Sequence, residues 1–336
     1  MSGGDDPSPP LEEPSASRRE TEASLATEPP HRNGARANST RLAFGALVVV
    51  CLIWGYNWVV MKIGLRYAGP FDFVALRNVG GAACLFLLLF VLRKPLRPQA
   101  LPYAIVLGLL QVTGNLGLVM WALSSGAVGR ISVLGYTMPF WVLLMAWPVL
   151  GERVRGFEWA ALALALAGLV FIFNPAGAHG TISSSFMALG AGIFWAGATV
   201  VTRLLHRYHD VDLVSLAAWQ MLFGAIPLVL IAFLVPSKPI HWTSTFLIAL
   251  LFNMVMANVV AWSLWLFVLR HLSASTAGIG TLTAPVVGIV GAWIQLGEKP
   301  SLLEGVGMAL IVGALALLTG IALRRHENLM ASEEPG

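Results

Sequence analysis

The chain has 336 residues, 57% of them hydrophobic and only 11% charged, with a mean hydropathy of +0.75. Soluble domains carry about 25% charged residues, so this composition excludes a water-soluble globular enzyme. The formal net charge of +4 comes from residues crowded at the N-terminus and between apolar runs, which indicates membrane orientation and no nucleic-acid partner.

Residues 1–41 are rich in Pro, Ser, Glu and Arg and hold nothing that could form a core. They read as a disordered cytoplasmic tail. The apolar run that follows is span-length and ends in no small-residue cleavage site, so it is not a signal peptide. Apolar stretches then recur at approximately 43–62, 72–92, 101–123, 128–150, 156–173, 184–205, 212–235, 245–269, 274–296 and 301–323. Each approaches the ~20 residues that a bilayer-crossing helix needs. The predicted fold is an all-α integral membrane protein with ten transmembrane helices. Residues 42–174 supply the first five and 183–323 the second five, and 324–336 form a short cytoplasmic tail. Cys51 and Cys84 lie in apolar runs, which suggests neither a disulfide nor a zinc framework.

The two halves repeat each other. Thr137, Pro139, Trp147, Gly151 and Glu152 recur as Thr283, Pro285, Trp293, Gly297 and Glu298, all at one offset (298 − 152 = 146), and Glu158 and Glu304 keep it. Five is an odd number, so the two units enter the bilayer from opposite sides as inverted repeats. That architecture is common in secondary transporters, which bind substrate near the midplane.

Basic residues set the orientation. Arg32, Arg36, Arg41, Arg93, Lys94, Arg97, Arg153, Arg155, Arg207, Arg270, Arg324 and Arg325 fall on one side. The other side has Lys62, Arg66, Arg77, Arg130, Lys238 and Lys299, and no Lys or Arg in loop 174–183. The bias places both termini in the cytoplasm of a multi-pass cytoplasmic-membrane protein.

The duplicated Pro and Gly-Glu helices, with Trp54-Gly55-Tyr56-Asn57-Trp58 opening the first span, resemble the drug/metabolite transporter superfamily. The closer resemblance is to its EamA-type, ten-helix branch. Lys62, Pro70 and Phe73 leading to Leu76-Arg77, and Phe194-Trp195-Ala196 add to the match, which covers roughly residues 42–323. The resemblance implies a central cavity lined by helices 1, 3, 4, 6, 8 and 9, and transport, often export, of small metabolites such as amino acids. In the second half Ala198 stands at the position aligned with Asn57, and Gln220 near that of Arg77.

Candidate cavity residues are Trp54, Asn57, Gln111, Asn115, Tyr136, Trp195, Thr199, Asn258, Trp262 and Thr281. Trp54, Asn57 and Met61 share a helical face, as do Trp195, Thr199 and Thr202. Gln111 with Asn115 and Asn258 with Trp262 make i, i+4 pairs. Uncharged donors and acceptors among aromatic rings suit a zwitterionic or heteroaromatic metabolite; the same amides also serve as interhelical hydrogen bonders. Pro139 and Pro285 are expected inside helices 4 and 9, freeing the carbonyls of Gly135 and Thr281, as flexing points or fixed kinks. Glu152 and Glu298 end those helices beside Arg153 and Lys299 and read as loop anchors, with a proton relay as the alternative. Lys62, Arg77 and Arg130 lie near span ends and read as snorkelling cations, although Lys62 and Arg77 could also attract an anion. Gly305, Ala309 and Gly313 form a small-residue stripe for helix packing, within the chain or in a homodimer.

A secondary carrier for a small molecule in the lipid bilayer is the leading reading. The rivals are an intramembrane enzyme and a channel-like protein. No metalloprotease, nucleophile-elbow or P-loop pattern occurs, so no enzyme, cofactor or metal is expected.

Overall fold

The computed structural model describes residues 31–151, 154, 156–173, 182–272 and 283–333, with side chains described from Arg41 to Ile321 apart from 266, 269 and 270. Glu152 and Thr281 lie outside the described residues. The chain runs through α1 (His31–Gly64), α2 (Pro70–Val91), α3 (Leu101–Ser125), α4 (Val128–Leu150) and α5 (Glu158–Ile172). It continues through α6 (Ile182–Tyr208), α7 (Leu213–Leu234), α8 (Ser244–Leu251, Phe252–Val260 and Ala261–His271 in succession), α9 (Thr283–Leu296) and α10 (Leu302–Glu333). Among the described residues, eight helices are long and apolar enough to cross a membrane; α5 and the described part of α9 are apolar but shorter.

Local chemistry sets where these helices start and stop. Pro70 and Pro102 occupy first turns, where their missing N–H costs nothing. Asp212 caps α7 by accepting the N–H groups of Val214 and Ser215, and Ser301 with Glu304 forms a capping box on α10. Gly151 and Gly297, the repeated glycines, end α4 and α9 with φ of 74° and 70°. Only glycine takes that left-handed conformation without strain.

Two spans depart from regular α-helix in corresponding places. Gly108–Leu116 in α3 and Phe252–Val260 in α8 are π-helical, each nine residues long. Such widened turns leave main-chain groups less tightly paired and concentrate at functional sites. A third departure corrects the expectation for Pro139. The α4 span breaks at Tyr136–Thr137, so Pro139 lies in the first turn of the second segment, Met138–Leu150, rather than interrupting a continuous helix. Thr137 holds the break: its N–H and its hydroxyl both donate to the Leu134 carbonyl, at 3.2 and 2.6 Å. Gly192 of α6 backs the break closely, since a Cβ there would lie 3.2 Å from the Gly135 carbonyl oxygen. Pro285 sits in the first described turn of α9. Pro148 and Pro227 are the prolines inside described helices α4 and α7.

Contacts between connections define two faces. On the first, His241 N–H donates to the Tyr67 carbonyl at 2.8 Å and Lys238 Nζ to those of Leu65 and Arg66 at 2.8 and 2.9 Å. On the second, Lys94 pairs with Asp212, Asp212 N–H donates to Gln99 Oε1 at 2.7 Å, and Trp219 Nε1 donates to the Leu96 carbonyl at 3.1 Å. α1 therefore ends at the first face and α6 at the second. The halves interlock reciprocally: α1 packs on α8 and α9, α6 packs on α3 and α4, and α2 pairs with α7 and α5 with α10.

Asp212 ties the second face together. Its partial burial alone would raise the carboxyl, but the Lys94 ammonium and the Ser215 and Val214 amides outweigh that and hold its pKa below the ordinary value. The stabilisation is thus present above the ordinary carboxylate range and lost only as pH falls through the depressed value. Asp212→Ala should cost about 1 kcal/mol at neutral pH. Thermal unfolding in detergent should show the gap to wild type constant from pH 7 to 5 and closing only in strong acid; a gap that closes above pH 5 would refute the assignment.

Candidate functional site

The α1 face carrying Trp54, Asn57 and Met61 points into the bundle. Trp54 Nε1 donates to the Ala257 carbonyl of α8 at 3.3 Å, and its ring lies 5.7 Å from those of both Trp262 and Trp265. One turn on, Asn57 is 8% exposed and its Oδ1 has no hydrogen-bond partner among the described residues. Met61 Sδ accepts from Arg77 Nη1 at 2.8 Å.

Arg77 corrects a sequence expectation. It is 3% exposed and faces the bundle rather than snorkelling to the interface. It sits seven residues into α2, about 10 Å along the axis. Its Nη2 donates to Asn258 Oδ1 at 3.5 Å, its Nε has no partner, and it makes no ion pair with any described residue. Asn258, in the π-helical part of α8, also directs Nδ2 toward Met221 Sδ at 3.9 Å.

A second group surrounds the break in α4. The Tyr136 ring lies 5.8 Å from Trp195 and 6.2 Å from Trp58, and Trp141 Nε1 donates to Thr137 Oγ1 at 3.2 Å. Thr199 donates back to the Trp195 carbonyl at 3.0 Å and lies 3.8 Å from Met138 Sδ. Trp58 follows Asn57 directly and thereby joins the two groups. Gln111 is half-buried on α3 and makes no side-chain hydrogen bond to a described residue. Asn115, in the π-helical part of α3, donates Nδ2 to the Ala191 carbonyl of α6 at 2.9 Å.

The asparagines of the two π-helical stretches therefore differ in their partners. Asn115 fastens two helices, whereas Asn258 faces an arginine. Asn115→Ala should lower thermal stability in detergent by about 0.6 kcal/mol and leave the half-saturating substrate concentration unchanged. A raised half-saturation at unaltered stability would return Asn115 to the site.

Near the first face lies a cavity of about 430 Å³ bordered by Lys62, Arg130, Glu298, Lys299 and Glu304. Here too the snorkelling expectation is corrected. Lys62 Nζ donates to the Leu123 and Gly126 carbonyls at 2.6 and 2.9 Å, closing the end of α3. Arg130, 0% exposed, donates Nη2 to the Ile172 carbonyl at 2.6 Å and places Nη1 3.5 Å from Glu304 Oε1. Glu298 Oε2 accepts the Val128 N–H at 2.6 Å, anchoring the start of α4 from the end of α9. Three ties thus bind the first half to itself and to the second at this face. Sequence reading missed the Arg130–Glu304 pair, although Ser-x-x-Glu at 301–304 is a readable capping signal. It also missed an apolar crevice of about 820 Å³ bordered by Phe71, Trp121, Phe194, Leu228 and Lys238.

Comparison with known proteins accords with this membrane bundle. The chain is 32% identical to the uncharacterized transporter YoaV of Bacillus subtilis, over 82% of this chain and 94% of that protein. It is 26% identical to a probable amino-acid metabolite efflux pump of Salmonella typhimurium, over 85% and 98%. A solved structure, titled only as the crystal structure of a protein, shares the fold with a TM-score of 0.59 at 21% identity, covering 86% of this chain and 98% of that one. The EamA-like transporter family matches twice, over residues 41–174 and 182–320, and the chain belongs to that family, within the drug/metabolite transporter superfamily.

Proposed function

We propose that the chain is a secondary carrier that exports a small organic metabolite, amino-acid-like or heteroaromatic, across the cytoplasmic membrane by alternating access between two inverted repeats. The observation that supports this reading is the reciprocal interlock: α1 packs on α8 and α9 as α6 packs on α3 and α4, so the main inter-half packings recur with the halves exchanged. Two similar units of opposite sense can rock about a shared midplane site. Relatives in Salmonella typhimurium and Escherichia coli bear the name of probable amino-acid metabolite efflux pumps, which favours export of that class.

The site combines the Trp54, Asn57, Asn258 and Trp262 group with the Tyr136, Trp195 and Thr199 group, and Gln111 completes its described lining. Pro139 and Pro285 let α4 and α9 flex, and Glu298 anchors the end of α9 to the start of α4. The ties of Lys62, Arg130 and Glu298 close the first face, which is the outer one. Export of metabolites into the medium, profiled with and without expression of the chain, tests the function; counterflow that saturates separates a carrier from a channel. Unchanged profiles across growth conditions would defeat the reading. Orientation is tested with His179→Cys in a background lacking Cys51 and Cys84. Labelling from outside intact cells is expected, and labelling only after permeabilisation would invert the topology.

A further inference from the structure

Among the described residues, Arg77 is a buried charge that meets no counter-charge. Other buried or part-buried ions in the described bundle are committed: Arg130 to Glu304 and a carbonyl, Lys62 to two carbonyls, and Glu298 to a helix N-terminus. Arg77 meets only a thioether, which is a weak acceptor, and an amide oxygen at the long limit of a hydrogen bond. Its Nε, like that of Arg130, donates to no described residue. An ionised group held in a membrane bundle without a counter-charge is costly, and such residues mark substrate pathways.

One helical turn from Met61, on the same α1 face, Asn57 Oδ1 is a buried acceptor without a donor. An unpartnered donor on Arg77 and an unpartnered acceptor on Asn57 therefore both flank Met61, one through its contact with Arg77 Nη1 and the other one turn away on α1. Beyond them the Trp54, Trp262 and Trp265 rings offer apolar surface. Gly81, one turn from Arg77, keeps α2 bare on the side facing α8, where a Cβ would come within 2.5 Å of Asn258 Nδ2. The second half offers Ala198 and Gln220 in place of Asn57 and Arg77, so the charged seat occurs once per chain.

Resting on the carrier reading above, we propose that the substrate is an α-amino acid whose carboxylate pairs with the Arg77 guanidinium and whose ammonium donates to Asn57 Oδ1. Asn258 holds the guanidinium in place, and the tryptophans receive an apolar or aromatic side chain. A guanidinium presents two parallel N–H groups to a carboxylate, a geometry that lysine cannot reproduce.

The test uses the purified full chain. Proteoliposomes loaded with an equimolar panel of L-amino acids identify what is released. The same amino acids and their carboxamides are then compared, at equal concentration, for thermal stabilisation of the protein in detergent. At least one apolar or aromatic amino acid should be released and stabilising, and its carboxamide should lose that effect. Arg77→Gln should raise the half-saturating concentration at least about ten-fold while leaving unliganded stability unchanged or higher, since an unpaired charge is removed. Arg77→Lys should recover part of the affinity. If Arg77 merely braces three helices, Arg77→Gln lowers unliganded stability and the carboxamide binds like the acid, which overturns the proposal; the carboxamide comparison decides even if the variant fails to fold. Release with no preference for the carboxylate overturns the Arg77 assignment alone. No release of any metabolite defeats the carrier reading itself.

Discussion

Glu304→Ala is expected to leave little folded protein. Arg130 and Glu304 are both buried, at 0% and 3% exposure, and they join α4 of the first half to α10 of the second. Removing the carboxylate strands a guanidinium whose remaining partner is the neutral Ile172 carbonyl. Breaking one side of a buried pair costs about 3–5 kcal/mol. Glu304 also accepts the Ser301 N–H at 3.1 Å while Ser301 Oγ accepts the Glu304 N–H at 3.3 Å, so loss of this cap adds about 1 kcal/mol. Arg130→Met combined with Glu304→Gln removes both charges and keeps a Gln that can serve the capping box. That double variant should recover most of the folded yield, because replacing a buried pair outright is often close to neutral. Size-exclusion profiles and thermal unfolding in detergent read both results. Wild-type stability in Glu304→Ala would show that the pair contributes nothing.

Much of this architecture is legible in the chain because hydropathy reports span length and because duplication repeats special residues at one offset. Gly151 and Gly297 illustrate the second point: the two glycines repeat at one offset in the sequence, and both take the left-handed conformation that ends a helix. What hydropathy cannot report is which way a residue faces within a span. Arg77 and Arg130 lie near span ends in sequence, so lipid-side snorkelling is the natural expectation, yet both point inward. The break at Tyr136–Thr137 is equally silent, since apolar residues continue on either side and Pro139 suits a helix start as well as a kink. The π-helical turns in α3 and α8 depend on main-chain pairing, which composition does not encode. Of the candidate residues, the aromatic and amide side chains share helical faces that the sequence spacing already displays. The Arg77–Asn258 contact, between residues 181 apart, needs the three-dimensional arrangement.

Gly55→Ala should impair both stability and transport, and Gly55→Leu should abolish folding. Gly55 lies between Trp54 and Asn57 on α1, at the contact with α9 of the other half. A Cβ at this position would stand 2.6 Å from the Ala284 carbonyl oxygen and 2.6 Å from Val287 Cβ. Neither obstacle is the free end of a flexible side chain, so the helices themselves must separate. Gly288 answers from α9, where a Cβ would come within 3.3 Å of the Gly55 carbonyl oxygen, so the approach is close on both sides. Overpacking of this kind costs about 1–3 kcal/mol for small additions. Gly305→Ala is the matched control, because a Cβ there meets nothing within 4 Å; it should be neutral or mildly stabilising. Transport should suffer beyond the stability loss, because moving α1 off α9 also moves Trp54 and Asn57 relative to Arg77 and Asn258. Thermal unfolding and initial rates, measured on Gly55→Ala and Gly305→Ala side by side, separate the two effects. If the two alanines behave alike, the α1–α9 approach is not the constraint that keeps position 55 a glycine.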